Sequence, residues 1–444
     1  MKKVNAVSLL FACMFMVSMF TNCASSTNDQ KSLVSIVKVE AKELESPKGI
    51  DPLAQAVAMG ANDFAFKLSS ELSKNVKNEN FVCSPYSVWL PLAALINATD
   101  VKYQDALLKA LNASGISIED INNASSRILY DLTKQDYKKL IEDNPNGGSL
   151  YHDPLKIANA IFVDKNVTIS KDFAQKFMDF YKGNSINVDF KSKDAVKAVN
   201  DWANEQTEGL IANLVQQFDP NTISAIANAI YFSDRWAREF YPEKTAEDVF
   251  HAQDGDKNAF YMLHEGDGQL YYEDDRVQAM PLGFKTGGGM LIILPKSGNA
   301  SELLSSMNSE YFNEILSDSK QSSGRLLLPR FSIESEVKGL KDVLIAMGVP
   351  LFDETSAPLT GGLIEENIPL CLSDVMQKAV IKVDEKGTTA AAVTVLSVDY
   401  ASQVITQPTE PFEMICNKPF VFVLYENTYD GGNQVLFTGV VNNP

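Results

Sequence analysis

Twelve uncharged residues follow Lys386: Gly387-Thr388-Thr389-Ala390-Ala391-Ala392-Val393-Thr394-Val395-Leu396-Ser397-Val398, closed by Asp399. The first six are small. As a strand, the segment would send alternate side chains to opposite faces. One face would carry Thr388, Ala390, Ala392, Thr394, Leu396 and Val398; the other Thr389, Ala391, Val393, Val395, Ser397 and, at its far end, Asp399. An unpaired buried charge is prohibitively costly, so a segment that enters a sheet must carry none on its buried face. This one passes. Its alanines also suit a buried helix, and a permanent core strand has the same composition. The flank tilts the choice: 399–411 is polar, holds Pro408 and Pro411, and reads as an exposed connector. A strand able to enter a sheet, joined to an exposed loop, is an odd object for a static core.

The rest of the chain is ordinary globular material. Hydrophobic residues make up 45% and charged residues 22% of the 444, unlike a disordered chain. With 39 basic against 57 acidic side chains the formal charge is −18. That surplus argues against nucleic acid, whose phosphates need clustered Lys and Arg, and against a polybasic membrane patch. Three histidines, His152, His251 and His264, leave little room for a metal site or proton relay. Cys13, Cys23, Cys83, Cys371 and Cys416 are scattered with no CxxC, so neither a zinc ribbon nor a disulfide scaffold is indicated. Cys83, Cys371 and Cys416 read as small buried hydrophobes. No metal or other cofactor is expected.

Lys2 and Lys3 precede an apolar run from Val4 to Phe20. Residues 1–23 therefore read as a secretory signal, too short for a comfortable membrane span. Cys23 stands where a bacterial lipoprotein cysteine would stand, although Asn22 departs from the small residue usual before it. Ordinary signal cleavage near Ala24 or Ser25 is the alternative. Either way the chain is expected outside the cytoplasm, secreted or as a cell-surface or outer-membrane lipoprotein, with a lipid anchor as its one membrane contact. Residues 24–54 are polar, lack apolar periodicity and read as a flexible linker, which leaves 55–444 for the folded part.

There, Phe64, Leu68 and Leu72 at steps of four predict a helix over 55–74. Further helices are expected over 87–96, 170–181 and 192–214. Strands are expected over 80–85, 156–163, 224–232, 290–294, 376–383 and 420–425, with a further strand region in which 326–328 and 331–333 flank Pro329. The order is irregular, with no βαβ rhythm, no repeat and no internal linker, so the expected fold class is α+β in one large domain. Catalytic motifs are missing. Lys285-Thr286-Gly287-Gly288-Gly289 lacks a following GKS or GKT and reads as a hairpin turn. There is no G-x-S-x-G elbow, and the paired acids Asp274-Asp275 and Glu365-Glu366 read as solvated loop residues. An enzyme is not expected.

Met376-Gln377-Lys378-Ala379-Val380, followed by Asp384-Glu385-Lys386-Gly387-Thr388-Thr389-Ala390-Ala391-Ala392, resembles the hinge of the serpins, a family of serine protease inhibitors. Asn80 to Ser87, Ile226 to Phe232 with Trp236, Leu291 to Pro295, Asn417 to Phe422 and Phe437 to Pro444 are similar to further blocks of that family, in family order. The Cys23 context suggests a bacterial member.

The resemblance implies a serpin-like domain of several β-sheets surrounded by helices, with an exposed reactive loop at about 385–411. It implies a suicide inhibitor: a serine protease, or in some cases a cysteine protease, cleaves the loop, which inserts into the main sheet and traps the covalent acyl-enzyme. The alternative is a non-inhibitory carrier or chaperone of the same fold. Family spacing from Glu385 puts the cleaved bond at Ala401–Ser402, with Tyr400–Ala401 as the other choice. Between Gly387 and Asn417 there is no Lys or Arg, so elastase-like or chymotrypsin-like targets are expected over trypsin-like ones. The resemblance makes Glu385 to Ala392 the hinge and Ser84, Ser87 and Asn228 a polar cluster gating the sheet, with Gln377 replacing a common histidine. Trp236 would lie beneath the insertion point, and Arg330 would pair with Glu385 in an exposed ion pair. The 99–113 helix offers only Lys102 and Lys109 beside Asp100 and Asp105, so heparin is not expected as a partner. A monomer is expected.

Overall fold

Residues that cap helices are placed in this sequence where the helices begin. Asp51 accepts the backbone N–H of Leu53 at 2.9 Å and is followed by proline, while Ser117, Ser170, Ser192, Asn299 and Asn308 do the same for five later helices. The structure, a computed structural model, describes residues 34–74, 76, 78–133, 155–207, 209, 211–219, 221–388, 411–430 and 432–444. Its helices are α1 Pro52–Ser73, α2 Pro85–Leu95, α3 Val101–Ala110, α4 Ile118–Leu132, α5 Lys171–Tyr181, α6 Lys193–Gln206, α7 Ala300–Ser306, α8 Ser309–Asp318 and α9 Leu340–Ala346.

The strands are β1 Val34–Ile36, β2 Phe81–Cys83, β3 Leu155–Asp164, β4 Gly183–Val188, β5 Ser224–Phe232, β6 Asp234–Arg235, β7 Ala246–Ala252, β8 Gly255–Glu273 and β9 Val277–Gly283. They continue as β10 Gly289–Pro295, β11 Lys320–Pro329, β12 Phe331–Glu336, β13 Asp374–Asp384, β14 Gly387–Thr388, β15 Phe412–Ile415, β16 Phe420–Asn427 and β17 Asn433–Val441. The main sheet runs β1-β4-β3-β5-β13-β14-β6, with β12 also on β13. The second runs β15-β11-β8-β9-β10-β16-β17-β2, with β7 on β8. The arrangement is the α+β class expected from the sequence.

Both faces of the main sheet are covered. Ile226, Ile230, Val375, Ala379 and Ile381 point into the large core, where the fully buried α2 and most of α1 also lie. Ala225, Ala227, Ala229 and Met376 point the other way, into a smaller cluster closed by Val199, Trp202 and Ala203 of α6. This two-sided burial is why β5 reads as a nearly unbroken apolar run.

Three features differ from the sequence expectation. Part of the 24–54 linker is structured: Val34–Ile36 pairs with Ile186–Val188 at the sheet edge, and Leu44 is buried. The helix expected over 192–214 ends at Gln206, because the Thr207 hydroxyl donates to Ala203 O at 2.7 Å and accepts Ile211 N at 2.9 Å. The two pieces expected on either side of Pro329 in one strand region belong to different sheets, as β11 and β12, with the division at Arg330. The 285–289 segment forms the expected β9–β10 hairpin. Asp274, read as solvated, accepts the N–H groups of Arg276 and Val277 and shapes a turn. Cys83 and Cys416 are buried, Cys371 only partly, and all three are free thiols.

Candidate functional site

β5 and β13 run parallel and pair only from Ala225/Asp374 to Asn228/Gln377. Beyond that rung they part. Six residues further along each, Asp234 and Val383 are joined again, this time through Thr388 of β14, which lies antiparallel between them. On their outer sides β5 keeps β3 along its length, and β13 keeps β12 over 378–383. The facing inner edges at 229–233 and 378–382 have no ladder partner among the described residues. The result is a slot one strand wide in the middle of the sheet.

The lower end of the slot is closed by the side-chain amide of Gln377. Its Oε1 accepts Ser84 N at 3.0 Å, and its Nε2 donates to Ser84 O at 2.7 Å and Ser87 Oγ at 2.8 Å. Ser84 Oγ reaches on to Leu436 O at 2.7 Å. All three residues are buried, so the amide satisfies groups that would otherwise be costly to desolvate. Asn228 lies on the same rung, but its side chain turns away to Asn159 Oδ1 and Ala158 O. Its own Oδ1 is buried with no hydrogen-bond partner among the described residues. The expected four-residue cluster is therefore the Gln377 and Ser87 side chains linked to each other and to the backbone of Ser84, with Asn228 joining only through backbone register.

The upper end is the hinge. Gly387 pairs with Asp384 and Arg235, and Thr388 with Val383 and Asp234. A Cβ on Gly387 would collide with the Asp234 carbonyl oxygen and Arg235 Cα, so only glycine fits this close approach. Trp236, buried and stacked on Phe284 at 4.8 Å, donates Nε1 to Asp384 O at 2.9 Å. Its backbone N donates to Lys386 O at 2.9 Å, and Phe240 N to Glu385 O at 3.0 Å. Glu385 pairs with Arg330, whose Nε lies 2.8 Å from Oε1, and Thr245 Oγ1 donates to the same oxygen at 2.6 Å. The pair is not fully exposed as expected: the Glu385 side chain is 8% exposed and only Arg330 is half open, at 47%. Burial pushes the Glu385 pKa up, but the bonds from Arg330 and Thr245 outweigh it and hold the carboxyl below its ordinary value.

The structure thus brings together Ser84, Ser87 and Gln377 at one end of the slot, and Glu385, Lys386, Gly387, Thr388, Trp236 and Arg330 at the other. Thr389, Ala390, Ala391, Ala392, Tyr400, Ala401, Ser402 and Cys23 lie outside the described residues. Thr245, Asp234 and Asn159 escaped the sequence reading. Thr245 reaches Glu385 across 140 residues, and no local pattern marks such a contact.

The family profile described as "Serpin (serine protease inhibitor)" matches residues 59–444. A serpin-like protein of Thermococcus kodakarensis is 30% identical over 394 residues, 87% of this chain and 86% of that one. Alpha-1-antitrypsin 1-4 of Mus musculus is 27% identical, covering 90% of this chain and 92% of its own. Among solved structures, the thermophilic serpin tengpin in its native state aligns with a TM-score of 0.74 at 27% identity, over 91% of this chain and 98% of that one. Human thyroxine-binding globulin complexed with thyroxine aligns at 0.71 and 24% identity, over 88% and 99%, a likeness of fold. With the slot, the hinge and this match over most of its length, the chain belongs to the serpin family.

Proposed function

We propose that this serpin is a suicide inhibitor of serine proteases that accept a small or aromatic residue at the cleavage site. The protease hydroxyl attacks the carbonyl carbon of Ala401, or of Tyr400 in the alternative register. The amine of the following residue leaves with a proton, and an acyl-enzyme ester remains. Catalysis belongs to the protease; the serpin supplies the bait and then removes the ester from the reach of water by carrying the protease along as its loop enters the sheet. Hydrolysis competes, so inhibition is a race of rates.

The observation that carries this reading is the register already set by β14. Continued past Thr388 with the same pairing, residues 389–393 fill the slot. Thr394 then arrives opposite both Gln377 and Asn228, the last rung that now joins β5 to β13. Its hydroxyl would come beside Asn228 Oδ1, the buried oxygen without a hydrogen-bond partner. From there the strand replaces the direct β5–β13 rungs one by one. Ser397 would reach Asp374 and Val398 would reach Ser224, the first residues of β13 and β5. Asp399, the first charge, falls just beyond. The uncharged run has the length of the strand that the sheet lacks.

In this register Thr388, Ala390, Ala392, Thr394 and Leu396 share the core face with Val383, Ile381, Ala379, Gln377 and Val375. A carrier or chaperone would have the same fold, as the thyroxine-bound neighbour illustrates, but it has no need of three alanines where the strand must enter. We further propose that the protein works outside the cytoplasm as a monomer, free or anchored through Cys23, and needs no cofactor.

Incubation with an elastase, a chymotrypsin and a trypsin, followed by denaturing gels, tests the reading. The expected result is a covalent complex with at least one of the first two, and a released fragment beginning at Ser402 or Ala401. Trypsin is expected to leave 389–416 uncut. Cleavage by all capable proteases with no complex would refute the inhibitory mechanism.

A further inference from the structure

The glycine-rich turn at 285–289 lies outside the slot, yet it is tied to the strand on which the hinge docks. β6 is only two residues long, and its one ladder partner among the described residues is β14. So short a pair does not hold itself in place. The Asp234 side chain supplies the hold. Buried completely, its Oδ1 accepts Arg235 N at 2.6 Å, and its Oδ2 accepts both the backbone N (3.1 Å) and the hydroxyl (2.5 Å) of Thr286. Arg235 O accepts Lys285 N at 2.9 Å, a second tie between β6 and the turn.

The turn has little freedom to move. Gly288 has a φ of +61°, and a Cβ there would strike Tyr425 O and the Glu426 backbone. Asp234 meets the hinge through its other edge. Its backbone N lies 3.4 Å and its carbonyl oxygen 3.5 Å from the Thr388 hydroxyl, and its carbonyl closes over Gly387. One residue is therefore the joint between an anchored turn, through its carboxylate, and the hinge, through its backbone.

We propose that Asp234 is a positioning residue for loop insertion, a role that rests on the inhibitory reading above. Through Thr286 it fixes β6 where Gly387 and Thr388 dock, and so keeps the first rung of the inserted strand made while the loop is still uncut. Charge-assisted bonds from a backbone N–H and a hydroxyl to one carboxylate are among the stronger hydrogen bonds available, which suits an anchor for a strand of two residues.

The test is hydrogen exchange of the intact, full-length protein, with no protease present, on Asp234→Asn, Thr286→Val and Thr286→Ser. Amides of 384–388 are expected to exchange at least tenfold faster in Asp234→Asn. They should exchange several-fold faster in Thr286→Val and at the wild-type rate in Thr286→Ser, while 225–228 and 374–377 stay unchanged in all three. Unaltered hinge exchange in both Asp234→Asn and Thr286→Val overturns the proposal. So does a loss of protection equal at the hinge and at the lower rungs, which marks a merely structural residue. If Asp234→Asn does not fold, the Thr286 pair decides alone. A second arm measures complex formation with elastase or chymotrypsin, where faster hinge exchange should accompany a lower trapped fraction. Wild type that traps neither protease refutes the inhibitory reading whatever the exchange shows, whereas trapping wild type with unchanged exchange in the variants refutes only the role of Asp234.

Discussion

Ala390→Arg and Ala391→Arg place the same charge one residue apart, and the proposed register assigns them opposite outcomes. Ala390 would enter between Phe232 and Ile381, which are 8% and 5% exposed and face the large core. An arginine there must carry its charge into the core or halt the strand. The effective penalty for a buried, unpaired ion is several kcal/mol. If about 3 kcal/mol is felt while the strand is entering, insertion slows by roughly a hundredfold, and an acyl-enzyme that would have been trapped is hydrolysed instead. Ala391 would enter on the opposite face, between Tyr231 and Val380, both only partly buried, where a long side chain can lead its charge out to water. The assay is the number of inhibitor molecules consumed per protease inactivated, with the covalent complex read on a denaturing gel. Ala390→Arg should behave as a substrate, cleaved with little complex, whereas Ala391→Arg should keep most of its trapping. Equal trapping by the two variants, or the greater loss in Ala391→Arg, would refute the register and with it the slot-filling argument.

Two further outcomes follow from the ends of the slot. Gln377→Ala removes three hydrogen bonds from one buried amide and leaves Ser84 N and O without those partners; it should lower native stability by about 2 kcal/mol, measured as a shift in the urea unfolding midpoint with unchanged slope. Glu385 has a lowered pKa in the folded protein, so its stabilisation is complete above the unfolded value of 4.5 and is lost as pH falls through the lower, folded one. Glu385→Gln should therefore flatten the acid limb of stability against pH, and an unchanged limb would mean that the carboxylate is not held as described.

The parts legible in the sequence are those whose signal is local. β5 and β13 announce themselves because strands covered on both faces must be apolar almost throughout. Gly387 and Thr388, which form β14, were legible because a strand must be narrow and uncharged to enter a sheet. Contacts made by distant partners were not. β8 pairs with β7 and β11 over much of its length, yet Gly266 and Gly268, at φ +134° and +72°, give its middle the composition of a turn. β1 is three residues paired with the edge of β4, too short to show a period of its own. Glu385 is held by Thr245 and Arg330, 140 and 55 residues away, and the resemblance that supplied the ion pair gave no sign of its burial. Asp234 stood two places before the recognised Trp236, but its partner Thr286 sits in a segment that read only as a hairpin turn.

The two-residue strand β14 bears on a question of parity. Side chains alternate along a strand, so a ribbon offered to a sheet has two ways to lie, and a slip by one residue exchanges every inward side chain for an outward one. With Thr388 already seated between Val383 and Asp234, that choice is made before any peptide bond is broken. In the proposed mechanism, severing the loop would then leave nothing to search for: the next residue would have a single place to go, and so would the one after it. An inhibitor that had to outrun hydrolysis would gain from being correctly threaded at the start.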